Sequence, residues 1–302
     1  MTLDELDAFV AVLREGNVSR AAAALGRSQP ALSRRIEQLE ANLGCTLLDR
    51  SPAAGVLGCT EAGRALLPHA EAMLAIARDA RRAVEAVHRD GAGEVGLALV
   101  GTLATPAFAA GLRHFTDAFP AARLALRTAT SREVSALARR GEVTLGLRYG
   151  AEDDLALETT PAGQEVLVAV AGRDLAAHLS TATQGLHGLP WVGFPPARDT
   201  GSFGDALESL LIRAGLQGAP LTLVDSLTAQ LRLVEAGLGL ALLPFAAAEE
   251  SLARGSIVRV PAVSPLEASV PVFLVSRRGA YLSAAAKGLA EILLSGLRPS
   301  GS

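Results

Sequence analysis

The chain has 302 residues, half of them apolar and a fifth charged, with a formal net charge of −3. That balance excludes intrinsic disorder, and the length allows two or three units with cores of their own. The opening MTLDELDAFVAVLREG carries acids where a secretory leader carries cations, no run reaches the roughly 18–20 apolar residues of a membrane helix, and two cysteines are too few for a disulfide scaffold, so a soluble cytoplasmic protein without a membrane partner is expected.

In chain order, Leu3, Leu6, Phe9, Val10 and Leu13 follow a 3.6-residue period that Gly16-Asn17 stops. Ser19 is placed to cap a second short helix, RAAAALG, ending at Gly26. Ser28 caps a third, with Pro30 in its first turn, where a missing N–H costs nothing. Leu32, Ile36, Leu39 and Leu43 form its apolar stripe and Gly44 ends it; Gln29, Ser33, Arg34, Glu37 and Glu40 lie on the opposite face. TLLDRSPAAGVLGCT then reads as two short strands around a turn.

Thr60 opens a long helix to about His88, roughly 42 Å at 1.5 Å per residue. Its apolar seam is Leu66, Met73, Ile76, Ala80, Val84 and Val87, which suits packing against a second copy; packing on the C-terminal part of the same chain is the alternative. After the linker RDGAGE, strands alternate with helices: EVGLALV, ARLALRTAT, VTLGLRY, EVLVAVAG, LPWVGF, LTLVD, GLALLP, SIVRVP and VPVFLVS, with a final helix from Tyr281 to Leu294. Such alternation indicates parallel α/β sheet, here in two lobes.

The third helix carries chemistry. In a helix-turn-helix the second helix enters the major groove, where Gln matches adenine, Arg matches guanine and Ser matches either. Gln29, Ser33 and Arg34 occupy its first turns, and Ser28 with the helix N–H groups can hold a phosphate. A net negative chain is no obstacle, because only the charges facing phosphate count. Arg20, Arg27, Arg34, Arg35 and Arg50 cluster here, and Asp4, Glu5 and Asp7 are free to lie on the far side.

The run AAALGRSQPALSRRIEQLEANLGCTLLDR, followed by TEAGRALL, resembles the N-terminal domain of LysR-type transcriptional regulators, and the likeness continues through GEVTLGLRYG, LVEAGLGLALLP and FLVSRRGAYLS. The resemblance implies a winged helix-turn-helix over 1–60, a dimerising linker helix and hinge over 61–90, and a two-lobed, periplasmic-binding-protein-like α/β effector domain over 91–302. Lobe I would span about 91–163 and 267–302, and lobe II about 164–266. It implies a homodimer, or a dimer of dimers, that binds double-stranded promoter DNA under control of a small-molecule effector, with no catalysis and no cofactor. By position it assigns DNA contacts to Ser28, Gln29, Pro30, Ser33 and Arg34, and a wing contact to Arg50. The wing loop SPAAGVLGC lacks the family's usual second basic residue, and Thr144 stands where a typical member has Asp.

For the effector, the resemblance points to Thr102, Leu103, Thr130, Phe194 and Ser226, with Arg148 or Tyr149 at the rim. Arg148 suits a carboxylate through a bidentate contact; a surface ion pair with Glu152 or Asp153 is its alternative. DTGS at 199–202 matches an aspartic-protease tetrapeptide without the second carboxylate that chemistry needs, and the five histidines lack metal spacing. Cys45 and Cys59 flank the wing and leave a thiol switch open. The competing function is a cytoplasmic solute-binding protein or degenerate α/β enzyme whose N-terminal helices only dimerise.

Overall fold

Thr2 starts the first helix, α1 (Leu3–Glu15), with a reciprocal cap: its hydroxyl accepts from the Glu5 N–H at 3.3 Å, and the Glu5 carboxylate accepts from the Thr2 N–H at 2.8 Å. The computed structural model describes residues 1–49, 58–88, 93–151, 153–179, 186–195, 203–260 and 268–296. Gly16 closes α1 at φ 63°, a left-handed turn open to glycine. That reversal brings Asn17, not Ser19, to the cap of α2 (Val18–Ala24), where its Oδ1 accepts from the N–H groups of Ser19 and Arg20 at 2.8 and 3.2 Å. The third helix, α3 (Gln29–Leu43), runs from the Ser28 cap to Gly44 as its sequence requires. Leu32, Ile36 and Leu39 are buried, but Leu43 is 41% exposed because the last turn of α3 extends past the core.

Strands β1 (Leu48–Asp49) and β2 (Gly58–Cys59) pair antiparallel at the base of the wing. Arg50 and the loop 51–57 lie outside the described residues. Helix α4 (Glu61–His88) then runs for 28 residues, with Thr60 accepting from the Gly63 N–H at 3.0 Å. Its first half belongs to the N-terminal core: Leu66, Leu67, Ala70 and Leu74 pack with Leu6, Phe9, Ile36 and Leu39. Gly63 is dictated by contact, since a Cβ there would stand 2.2 Å from the Leu47 carbonyl oxygen.

The remaining chain builds one sheet in two parallel groups. In the first, β3 (Glu94–Leu99) lies parallel between β4 (Arg123–Thr128) and β5 (Leu145–Tyr149), linked by α5 (Pro106–Ala118) and α6 (Ser131–Arg139). Strand β6 (Leu157–Gly172) carries the chain to the second group, where α7 (Arg173–Ala176) follows it. There β7 (Trp191–Gly193) lies parallel between β8 (Leu221–Leu223) and β9 (Leu240–Pro244), with α8 (Phe203–Arg213) and α9 (Leu227–Glu235) as connections. Helix α10 (Phe245–Arg254), β10 (Ile257–Arg259) and β11 (Ala268–Arg277) follow. Strand β11 pairs antiparallel with both β5 and β6 and takes the chain back, so the described strands run β4-β3-β5-β11-β6-β9-β7-β8, with β10 on β6.

The last helix, α11 (Ala284–Gly296), lies against α5, where Gly288 leaves room for the Phe119 ring. Three features depart from the expected pattern. The helices α7 and α10 were not foreseen, and β6 starts eight residues before EVLVAVAG because Pro161 and Gly163 resemble strand breakers. They are accommodated by a register shift opposite Val272 and Phe273 that leaves Ala162 bulged.

Candidate functional site

The start of α3 is the exposed edge of a helix-turn-helix. While Leu32, Ile36 and Leu39 fill the core, Ser28, Gln29, Pro30 and Arg34 are exposed and Ser33 is half-exposed. Ser28 Oγ accepts from the Ala31 N–H at 3.4 Å, and the Ser19 hydroxyl donates to Gln29 Oε1 at 3.3 Å, tying α2 to the first turn of α3. Arg34 borders an open groove of about 540 Å³ with Glu5, Pro30, Ala31, Arg35 and Gln38.

Two other arginines of the expected cluster are already engaged. Arg35 pairs with Asp4 at 3.0 Å, and Arg20 donates to the Glu15 carbonyl. The acids are thus not simply segregated to a far side: Asp4 meets α3, Glu5 caps α1 and Asp7 lies 3.9 Å from Arg78. Glu40, read from sequence as an exposed residue of α3, accepts from the N–H groups of Leu47 and Leu48 at 2.7 and 3.2 Å and so anchors the wing to α3. Cys45 and Cys59 are both free thiols; burial pushes Cys59 up, against the lowering charge of Arg64, which disfavours a reactive thiolate.

The second half of α4 has two distinct faces. Leu74, Ala75, Asp79 and Ala86 are buried, with Asp79 held by Arg82 and by Arg277 of β11, so this helix does pack on the C-terminal part of its own chain. Met73, Ile76, Ala80, Val84 and Val87 are left exposed in a continuous stripe at intervals of three and four. Of the expected seam, only Leu66 turns elsewhere, into the N-terminal core.

In the α/β region, the C-terminal ends of β3, β4 and β5 come together, the place where open α/β sheets gather ligand loops. Thr102, in the 3-10 turn Gly101–Leu103, hydrogen-bonds the Tyr149 hydroxyl at 2.9 Å. The Tyr149 N–H donates to Ser131 Oγ at 3.3 Å, which joins the end of β5 to the start of α6. Thr130 caps α6 in a reciprocal pair with Glu133. Leu103 is buried beneath the 3-10 turn. Phe194 follows β7, half-buried against the core, and Ser226 caps α9; both stand at the corresponding end of the second strand group.

Tyr149 and Arg148 are not rim residues: each is 3% exposed. Alternation along β5 turns Arg148 to the sheet face covered by α6, where its Nη1 donates to Ser135 Oγ at 2.9 Å and its Nε to the Tyr149 carbonyl at 3.1 Å.

Sequence reading also missed Glu165. On β6 it sits opposite Val270 of β11, as Tyr149 of β5 sits opposite Val272, which places the acid and the tyrosine on one face with a single strand between them. Burial raises the Glu165 carboxyl to about 7. Burial likewise pushes the Tyr149 hydroxyl up, against the Thr102 hydrogen bond, and the Glu165 charge pushes it further.

Because the folded state holds the Glu165 proton more tightly than the unfolded chain, stability conferred in acid is lost as pH rises from the usual carboxylate range through about 7. Glu165→Gln, which keeps the neutral form, should therefore flatten the decline in Tm between pH 5 and 8 in a thermal melt series. Parallel pH profiles for variant and parent would dismiss the assignment.

Residues 3–64 match the model of the bacterial regulatory helix-turn-helix protein, lysR family, and residues 88–298 match the LysR substrate binding domain. The chain belongs to the LysR family of transcriptional regulators. Among LysR relatives, the HTH-type transcriptional regulator TfdS of Cupriavidus pinatubonensis is 33% identical over 282 residues, covering 91% of this chain and 92% of TfdS. The SDS degradation transcriptional activation protein of a Pseudomonas strain is 32% identical over 302 residues, covering 97% and 95%.

The crystal structure of CbnR, a LysR family transcriptional regulator, superposes with a TM-score of 0.66 at 25% identity over 99% of this chain and 100% of CbnR. Full-length CbnR complexed with its target DNA gives 0.63, covering 98% and 100%. This LysR chain is thus a transcriptional regulator with a DNA-binding helix-turn-helix joined to an effector-binding domain. Among its described residues, no helix is long and apolar enough to cross a membrane.

Proposed function

We propose that this regulator reads a two-fold related promoter site through the first turns of α3, with Ser28, Gln29, Pro30, Ser33 and Arg34 as contacts and Arg50 at the wing. The observation that carries the reading is the division of α3: one face closes the core, while Gln29 and Arg34, the side chains suited to adenine and guanine, stand exposed at its N-terminal end. The copy of a LysR relative solved on its target DNA supports the same use of the domain. Homodimerisation along the exposed α4 stripe supplies the second reading head, and two such dimers pair into a tetramer.

Occupancy is set by a small effector held between the strand groups, at Thr102, Leu103, Thr130, Tyr149, Phe194 and Ser226. Arg148 is withdrawn from direct contact because its guanidinium faces Ser135, so a carboxylate clamp at that position is not favoured. Hydroxyl groups with Glu165 nearby favour an effector recognised by hydrogen bonding. In vitro selection of random duplexes by the full-length protein tests the DNA reading: enriched half-sites spaced by whole helical turns are expected. A pool that stays random at low salt would refute it.

A further inference from the structure

Between α1, α4 and the effector domain lie three adjoining cavities of about 510, 360 and 330 Å³. Arginines and carboxylates line them in near balance, which makes the junction an ion-paired contact between domains rather than a charged ligand site. Its centre is Glu142, in the turn between α6 and β5, with a side chain only 13% exposed. Glu142 Oε1 accepts from Arg14 Nη1 of α1 at 2.8 Å and from Arg140 Nε at 2.7 Å, while Arg127 of β4 approaches Oε2 at 3.6 Å.

Helix α4 grips the same turn by its backbone. Arg78 donates to the Arg140 carbonyl at 2.9 Å and Arg82 to the Gly141 carbonyl at 3.0 Å. Burial works to raise the Glu142 carboxyl; the hydrogen bond from Arg140 and the charges of Arg140, Arg14 and Arg78 outweigh it and leave the group lowered, hence ionised at neutral pH.

The two elements that meet at this turn both begin or end at the cleft. Helix α6 starts at the Thr130 cap and finishes beside Arg140; β5 starts three residues after Glu142 and finishes at Tyr149. Each is a single rigid span of roughly 14–17 Å. Their far ends are joined by the Tyr149–Ser131 hydrogen bond, next to the Thr102–Tyr149 contact.

We propose that Glu142 is a positioning residue which, through Arg14, couples the effector cleft to the DNA-reading helices of the same chain. The inference rests on the effector reading of Thr102 and Tyr149 given above. A displacement of the cleft end of α6 or β5 moves the 140–142 turn, and the charge-assisted bond to Arg14 passes it to α1, which packs directly on α2 and α3.

Hydrogen-exchange mass spectrometry of the full-length protein, without effector or DNA, tests this. Tyr149→Phe, which removes the bond to Thr102, should speed amide exchange in the last turn of α1 by about five-fold or more, the low end of ordinary coupling between sites. In Glu142→Gln that turn should already exchange fast, and adding Tyr149→Phe should change it no further. Arg14→Gln should reproduce the α1 effect while leaving β5 as in the parent. Should Tyr149→Phe fail to fold, Thr102→Val breaks the same bond from the other side.

An α1 unresponsive to either cleft variant, an α1 unchanged by Glu142→Gln, or a cleft effect that survives Glu142→Gln would each overturn the proposal. Because no effector is present, a failed search for the ligand would count against the cleft reading alone, and a failed coupling result against Glu142 alone.

Discussion

Arg34→Ala in the full-length protein is expected to weaken binding to its selected duplex by about 1–3 kcal/mol, roughly five- to 150-fold, and to relax the preference for guanine at one base pair per half-site. The guanidinium is exposed at the second turn of α3 and makes no ion pair or hydrogen bond among the described residues, so its removal leaves the fold untouched. Gln29→Ala should act in the same sense at an adenine. Arg35→Ala is the internal control: its partner is Asp4, and its loss should change affinity far less. Binding titrations on a set of single-base variants of the site read all three. Equal weakening on every duplex would demote Arg34 to a phosphate contact, and unchanged binding would remove α3 from the DNA altogether.

The other large effect concerns α4. Ile76→Asp or Val84→Asp should convert the dimer proposed for this chain to monomer in sedimentation at micromolar concentration. Each side chain is more than half exposed in the single chain, so neither substitution disturbs a core. Burying a large aliphatic side chain contributes about 1.5–3 kcal/mol, and a residue on a two-fold seam counts once in each copy, so a loss of about 3–6 kcal/mol per substitution is expected before the cost of burying a carboxylate. A variant that sediments with the parent would leave the stripe without its assigned partner.

What could be read in the sequence was what neighbouring residues decide together. The Ser28 cap, the Gly44 stop and the Leu32–Ile36–Leu39 stripe are settled within one helix, and they came out as expected. The start of α2 fell two residues earlier than expected, at Asn17, because Gly16 turned the chain early. Strand β6 was seen at half its length, since its first half is ordered by pairing with β11 more than a hundred residues away.

The polar residues that organise the molecule were hidden for the same reason. Glu142 depends on Arg14, Glu40 on the wing backbone, and Arg148 on Ser135 of α6, a contact fixed by the strand face and invisible to a pattern in which LGLRY ends at a loop. Glu165 gave no local signal at all; its character comes from burial on the same face as Tyr149.

The shared core of the N-terminal helices and α4 bears on how such regulators can be recombined. Leu66, Leu67, Ala70 and Leu74 complete the packing under α1 and α3, so the reading head, taken as a folding unit, ends near Leu74 and not at the wing. A head transplanted between relatives with its boundary at the wing would arrive without its own floor and meet a stranger's side chains beneath Phe9 and Ile36. A boundary after Leu74 carries the floor along but divides α4 just where the exposed stripe continues, so the floor of the reading head and the stripe proposed to meet a partner copy lie on one helix and can be separated only by splicing within it.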